Sequence, residues 1–528
     1  LLYVPGLSAE DQETLSELVN QLEAKMQRNL LREQYYAGKY LLRDLGVSVP
    51  PKFRNFEAVL GWPAKAVDTL SRRCNLDGFV IPGVDVADLG VDVLWQSNRM
   101  DIESSMAHDS AMIHSCAFIC TIMGDEESGE PPVLMMAKSA FDATGLWDAR
   151  KRELSSALSI IERDRDTSTP LLMAMYLPDR VIIMDRDFEG GQWRVDERPH
   201  TLGKVPVEPL VYRPRLGKPF GSSRITRSVM SITDSALRTV VRSEIGAEFY
   251  TAPQRYALNI PASAFEEGGW SAVLGRLLAV EPPLLDDEID PAFKPELGQF
   301  PQASMQPHSD QLRMWATLFA GEASIPVSSL GVVQDNPSSA EAIYAAKEDL
   351  IVEAEHADMV FGSGWVGAMR NAIMLRDGLT QMPAELLKLQ AVWRDPSTPS
   401  QASAADAMTK AMAVIPSLAD SDVALEKMGF SRTDIDRIRA DQRRGSVSQL
   451  LQNMQPGQNP QTEELSRRVL ELEMQRKQLM LAKDEPGADE DAIKRQLKAI
   501  ITEKTKLGLQ LNQYSYLDKY GTDAGIGG

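Results

Sequence analysis

Cysteine and histidine are scarce in this 528-residue sequence, with three of the first and five of the second. Cys74, Cys116 and Cys120 are odd in number and form no CxxC pair, which argues against a disulfide framework or a zinc site and fits a reducing compartment. No uninterrupted apolar run reaches membrane-spanning length, and the amino terminus lacks the basic-then-apolar pattern of a signal peptide. A soluble chain, not exported by that route, is expected. There is no GxxxxGKS/T phosphate loop, no GxGxxG after a strand, no HExxH and no GxSxG nucleophile elbow. Standard ATPases, dehydrogenases and zinc peptidases are thereby set aside, and no catalytic, cofactor-binding or metal-binding residue is assigned. Basic charge is the remaining deficit. Lys and Arg number 56 against 75 Asp and Glu, giving a net charge of -19. Neutralising phosphates takes clustered cations, so the balance argues against a protein that grips nucleic acid over its whole surface and leaves only local basic stretches.

What is present is organised around Pro206 to Tyr250, PVEPLVYRPRLGKPFGSSRITRSVMSITDSALRTVVRSEIGAEFY. Pro209, Pro214 and Pro219 keep its first part from being helical, and Ser222 or Ser223 can cap a helix after them. From Ile225 the apolar residues Val229, Ile232, Ala236, Val240 or Val241, Ile245 and Phe249 recur at three- and four-residue steps, until Pro253 stops the pattern. Such a helix is long enough to act as a strut. Between Arg213 and Arg255 eight cations, including Arg224, Arg227, Arg238 and Arg242, face three acids. A solvated helix face is the plain reading of that bias.

Upstream, Ala9 to Leu45 reads as a helix capped by Ser8 with a stripe at Leu15, Leu18, Val19, Leu22 and Met26. Trp62 to Ser71 and Asp92 to Ser115 are further helices. His108, Asp109, Ser110 and His114 do not converge, because consecutive helix residues point in different directions. Cys116 to Met123, Val133 to Ala137, Leu171 to Tyr176, Val181 to Asp185 and Gln192 to Asp196 read as strands, with a hairpin turn at Glu189-Gly190-Gly191. The acidic loop Gly124 to Pro132 lacks the alternating ligands and central glycine of an EF-hand and reads as an exposed turn. Downstream, Ala252 to Gln306 is a proline- and glycine-rich excursion with short strands at Arg255 to Asn259 and Leu277 to Val280. It is bracketed by a second helix, His308 to Ala320. A loop from Gly321 leads to a long helix, Ala340 to Arg376. Helices at Ala402 to Ala413, Ser421 to Met428 and Ser431 to Arg444 follow, and Thr462 to Lys483 and Ala492 to Gln513 form a helical hairpin.

The segments PLVYRPRLGKPFGSSRI (209 to 225), LGQFPQASMQPHSDQLRMWATLFAGEASIPVSSLG (297 to 331) and QDNPSSAEAIYAAKEDL (334 to 350) together resemble the portal proteins of long-tailed double-stranded DNA bacteriophages, especially those of actinobacteria. The resemblance covers Leu1 to about Arg444. It implies an α+β portal fold with an α+β wing (1–221), a first stem helix (222–250), a small β-containing clip (251–306) and a second stem helix (307–322). A tunnel-loop region (323–339), a long helix returning to the wing (340–394) and a helical crown with its tail (395–528) complete the expectation.

The resemblance further implies a non-enzymatic homo-oligomer, a dodecameric ring at one capsid vertex of the virion, assembled in the host cytoplasm. Its partners would be the major capsid protein, a terminase large subunit that supplies ATP hydrolysis, a head-tail adaptor, and double-stranded DNA passing without sequence specificity. No membrane is implied. Arg227, Arg238 and Arg242 are candidates to centre DNA in the channel or, equally, to bridge neighbouring subunits. Gln334, Asp335 and Asn336 are candidates for an uncharged or acidic loop tip. In the acidic segment Glu281 to Asp290, the residues Glu281, Asp286, Asp287, Glu288 and Asp290 are candidates for partner docking, or form a plain surface loop. Two alternatives remain: another structural head or adaptor protein, and a metal-dependent hydrolase using Asp164, Asp166 and Asp185 or Asp187.

Overall fold

The computed structural model describes residues 2–40, 58–82, 86–164, 166–186, 191–251, 255–260, 294–301, 304–332, 347–397 and 401–430, with short strand pieces at 277–280, 284–285 and 288–289 and scattered helical positions between 434 and 507. The chain forms two units, Leu1–Arg432 and Thr433–Gly528. In the first unit, helices α1 (Ala9–Tyr36) and α2 (Trp62–Ser71) precede β1 (Leu76–Val80), α3 (Val91–Ser97) and α4 (Met100–His114). Then come β2 (Cys116–Met123), β3 (Val133–Ser139), β4 (Ala143–Asp148), β5 (Glu153–Arg163), β6 (Pro170–Tyr176), β7 (Arg180–Arg186), β8 (Trp193–Pro199) and β9 (Val207–Val211). Helix α5 (Arg227–Thr251) leads to the short strands β10 (Arg255–Leu258), β11 (Leu277–Val280), β12 (Leu284–Leu285), β13 (Glu288–Ile289) and β14 (Glu296–Gln299). Helices α6 (Gln306–Glu322) and α7 (Glu348–Arg376), strand β15 (Gln390–Trp393), and helices α8 (Gln401–Val414) and α9 (Asp422–Lys427) follow.

Strands β4 to β8 form an antiparallel meander, and β2 pairs with β3 and β9 in a smaller antiparallel sheet. Both sheets are covered on both faces, which explains why their central strands read as nearly continuous apolar runs. Along β2, Ala117 and Ile119 face the helices α2, α4 and α7, whereas Phe118, Cys120 and Ile122 face the larger sheet. Along β6, Ala174 and Tyr176 meet β2, whereas Met173 and Met175 pack under α1. The order of layers is therefore α1, large sheet, small sheet, helices. Leu15, Leu18 and Leu22 of α1 are buried on Leu158, Ile160, Met173 and Met184. Each such side chain contributes roughly 1.5–3 kcal/mol when fully buried. Ser8 caps α1 as its sequence predicts, its Oγ accepting from the Asp11 N–H at 3.1 Å and donating to the Asp11 carboxylate at 2.7 Å, while Arg180 of β7 donates to both oxygens of the same carboxylate at 2.9 and 3.0 Å.

Several boundaries differ from the sequence-based expectation. The helix read through Asp92 to Ser115 is two, because buried Asn98 breaks it: its amide donates to the Leu94 and Val133 carbonyls at 2.9 and 3.0 Å and its oxygen accepts from the Met135 N–H at 2.8 Å. Arg99 then adopts φ 54°. Strands β4, β5 and β9 were not expected. In β9, Pro209 sits opposite Phe118 at the sheet edge, where a residue without an N–H is tolerated. Helix α1 closes at Tyr36, with Leu45 outside the described residues. The same holds for 340–346 at the start of the expected long helix and for most of the Glu189-Gly190-Gly191 turn. In the second unit, Leu472 and Ile500 are buried, and an Arg468–Glu503 ion pair at 3.8 Å links the two stretches read as a helical hairpin.

Candidate functional site

The loop between β9 and α5 is built around Tyr212. Its backbone N–H donates to Ser115 O at 3.0 Å, and its carbonyl accepts from the Ser222 N–H at 2.9 Å, closing residues 213–221 into a finger. Gly221 makes the closure possible. It lies at φ +67°, and a Cβ there would fall 2.0 Å from the Tyr212 oxygen. Beyond the finger, Ser223 donates to Ile113 O at 2.5 Å and accepts from the Ile225 N–H at 2.9 Å. Ser222 and Ser223 are thus not the helix cap. Thr226 is, its Oγ1 accepting from the Val229 N–H at 3.1 Å, so α5 begins at Arg227.

Arg224 is only 2% exposed. Its guanidinium donates to Ala66 O of α2 at 2.5 Å, to the Tyr212 hydroxyl at 2.9 Å and to Ala323 O, just past α6, at 2.5 Å. Tyr212 donates in turn to Glu353 of α7 at 2.5 Å, and Arg213 grips the same carboxylate with two bonds of 2.7 Å. Burial raises the Glu353 pKa, but the hydrogen bonds from Arg213 and Tyr212 and the charges of Arg213 and Arg224 outweigh it, leaving the group below its ordinary value. Burial pushes the Tyr212 hydroxyl up to about 12. One residue pair, Arg224 and Glu353, thereby fixes α2, α5, α6 and α7 to one another. The planar fork of arginine suits this, because it offers five donors in fixed directions.

From this junction α5 and α6 run antiparallel. Thr226 at the start of α5 donates to Glu322 at the end of α6 at 3.3 Å, and the Trp315 indole donates to Thr239 at 3.2 Å midway. Gly246 lies beside Met305 and His308 at the far end. There the small sheet β11-β10-β14 is attached, with β10 parallel to β11 and antiparallel to β14. Helix α5 is 25 residues long, about 38 Å at 1.5 Å per residue.

Of the sequence-selected cations, Arg227 is exposed, whereas Arg238 and Arg242 are half-buried. At 100° per residue they share an arc of about 60° on α5. Arg238 donates to Ser235 at 3.1 Å and lies near Asp234, whose carboxylate accepts from Tyr35. The Arg242 Nε has no hydrogen-bond partner among the described residues. Gln334, Asp335, Asn336, Glu281, Asp286, Asp287 and Asp290 lie outside the described residues, and Glu288 is described only as backbone of β13.

The acids of the hydrolase alternative do not assemble: among the described residues no group of three or more His, Cys, Asp or Glu could hold a metal. Asp164 instead braces a turn, accepting from the N–H groups of Asp166 and Thr167, bonds that hold it below the usual carboxylate range. Asp187 lies outside the described residues. His108 is stacked on Phe361 and accepts from the Trp365 indole at 2.8 Å; burial drives it down to about 3. His114 lies 3.4 Å from Glu33, yet burial, reinforced by Arg32 and Arg28, lowers it to about 4, so it is neutral near pH 7. No described helix is long and apolar enough to cross a membrane.

A family model described as "Phage portal protein, SPP1 Gp6-like" matches residues 15–444. The chain belongs to that family. The family is structural, not enzymatic. The Portal protein of Mycobacterium phage D29 is 30% identical over 442 residues, covering 80% of this chain and 87% of its own. That of Mycobacterium phage L5 is 31% identical over 424 residues, covering 77% and 83%. A chain from the neck of a native GTA particle, computed with C12 symmetry, aligns at TM-score 0.36 and 10% identity over 70% of this chain and 89% of that one, a likeness too loose to bear on fold or role.

Sequence reasoning missed the junction. It placed Arg224 in an exposed basic stretch, although the residue sits directly before buried Ile225. The available signal was Glu353, an acid set among the core residues Leu350, Ile351, Ala354 and Ala357 of α7, although buried Asp358 carries the same signal.

Proposed function

We propose that copies of this chain form a dodecameric ring at one vertex of a phage capsid, with a channel for genome packaging and ejection and a platform for head-tail attachment. The observation that carries this reading is the antiparallel pair α5 and α6, anchored at the Arg224–Glu353 junction and bearing a small sheet at its far end. In this reading α5 and α6 are the stem, 251–306 the clip, 1–221 with 340–394 the wing, 323–339 the tunnel-loop region and 395–528 the crown and tail.

The wing meets the major capsid protein. The clip, through the acidic segment 281–290, meets first a terminase large subunit and then a head-tail adaptor. The motor function belongs to the terminase, since this sequence contains no phosphate loop. Double-stranded DNA passes without sequence specificity. A net charge of -19 suits a conduit, because each good phosphate contact adds affinity and slows passage. Negative-stain imaging with mass photometry of the purified chain tests the proposal. Rings with a central hole and twelve-fold symmetry are expected; a compact closed oligomer without a channel would overturn it.

A further inference from the structure

The β3-β2-β9 sheet carries opposite charge at its two ends. At the end where β2 begins, the finger 213–221 turns through Arg215, Leu216, Gly217 and Lys218, with Arg215 and Lys218 paired through reciprocal backbone hydrogen bonds of 3.2 and 2.7 Å. Leu216 is fully exposed at its tip. The β4–β5 turn joins it: Phe220 packs on Trp147 at 6.0 Å, and Arg152, Pro214 and Pro219 border one hollow of about 390 Å3. Arg150, Arg152, Arg215 and Lys218 are all exposed. At the opposite end, the β2–β3 turn presents exposed Asp125, Glu127 and Glu130. Their carboxylates accept only backbone N–H groups, Asp125 from Glu127 and Glu130 from Asp125, and among the described residues no lysine or arginine pairs with them. The eight residues of β2 hold the two ends about 26 Å apart, so they cannot meet within one chain.

We propose that the basic finger and the β4–β5 turn of one copy dock on the acidic β2–β3 turn of the next. This rests on the ring reading and deepens it by naming the contact. A chain of net charge -19 repels its own copies, and close packing requires local patches of opposite sign. Patches at opposite ends of one sheet produce a head-to-tail contact, the kind that closes into a ring when the rotation between copies allows. The exposed leucine at the tip favours a protein partner over nucleic acid, since a phosphate offers nothing to an aliphatic side chain.

A charge swap decides the matter. R215E/K218E and D125K/E127K, both on exposed turns, are each expected to raise the concentration for half-assembly of the full chain by at least about tenfold in mass photometry, with the thermal unfolding profile unchanged. The combined variant, with both ends reversed, is expected to recover assembly to within about threefold of wild type, because the attraction is restored with its signs exchanged. Additive loss in the combined variant would overturn the pairing. So would rings from both single-end variants, which would leave the ring reading itself intact. A wild-type chain that stays monomeric at every concentration would remove the ring reading and the pairing together. Normal assembly of R215E/K218E with weakened binding of a 30-base-pair duplex would reassign the finger to phosphate contact.

Discussion

The arginines before Arg227 and those after it come from one basic stretch, yet they do different work. Arg213 and Arg224 are locked by a carboxylate, a phenol and two backbone carbonyls, and their removal leaves those acceptors buried without donors. Along α5, among the described residues, Arg238 holds Ser235 beside Asp234 and the Arg242 Nε has no hydrogen-bond partner, while Arg227 is exposed. The charge is the same in both groups. The supply of fixed acceptors decides which arginine holds the fold and which does not.

The sharpest way to break this contrast is R224A. Leaving the Ala66 and Ala323 carbonyls and the Tyr212 hydroxyl oxygen without their donor in the interior, while Glu353 keeps Arg213, is expected to cost about 3–5 kcal/mol, read as a large fall in Tm, while R227A changes Tm negligibly. A chain that tolerated R224A as easily as R227A would show that the junction is ornamental.

Helix α7 offers the next test within one element. Burial pushes Asp358 up to about 7, with Glu355 adding to the effect, and leaves one of its oxygens without a partner among the described residues. Because its folded pKa lies above the ordinary aspartate value of 3.8, wild-type stability is lost as pH rises between 3.8 and about 7. D358N is therefore expected to raise Tm by a few degrees at pH 8 and by less at pH 5. Equal shifts at both pH values would show that ionisation of Asp358 is not what strains the helix.

Glu353 has the opposite sign. Its folded pKa is depressed, so its contribution is present above the ordinary glutamate value of 4.5 and fades as the medium turns more acid. E353Q keeps the shape but removes the negative charge that pairs with Arg213 and Arg224, and a loss of about 1–3 kcal/mol at pH 7 that shrinks below pH 4 is expected in denaturant titrations. The smallest effect on folding belongs to the combined R227A/R238A/R242A variant, within about 0.5 kcal/mol per site. Its expected signature is functional: normal rings with altered packaged genome length if the stripe faces DNA, failed rings if it faces neighbouring subunits.

Much of the architecture was readable in advance, for physical reasons that differ by element. Helix α5 announced itself through spacing and a closing proline, and β2 through a run of apolar residues bounded by a change of pattern. The Asn98 break was not readable, because a mid-helix asparagine becomes a breaker only when β3 offers its backbone. Strand β9 was hidden by Pro209, which suits an edge that tertiary pairing alone defines. The junction escaped for the same reason: the PLVYRPRLGKPFGSSRI segment was correctly singled out, but the partners of Arg224 lie 158, 99 and 12 residues away along the chain.

The root of the helix pair is also a pivot. Helix α5 extends about 38 Å from its first turn, so a tilt of one degree there would carry the distant strands sideways by about 0.7 Å. The lengths of Arg224's three hydrogen bonds therefore govern aim as well as cohesion: a lysine in its place, able to satisfy one acceptor but not all three, would leave the far sheet pointing somewhere else.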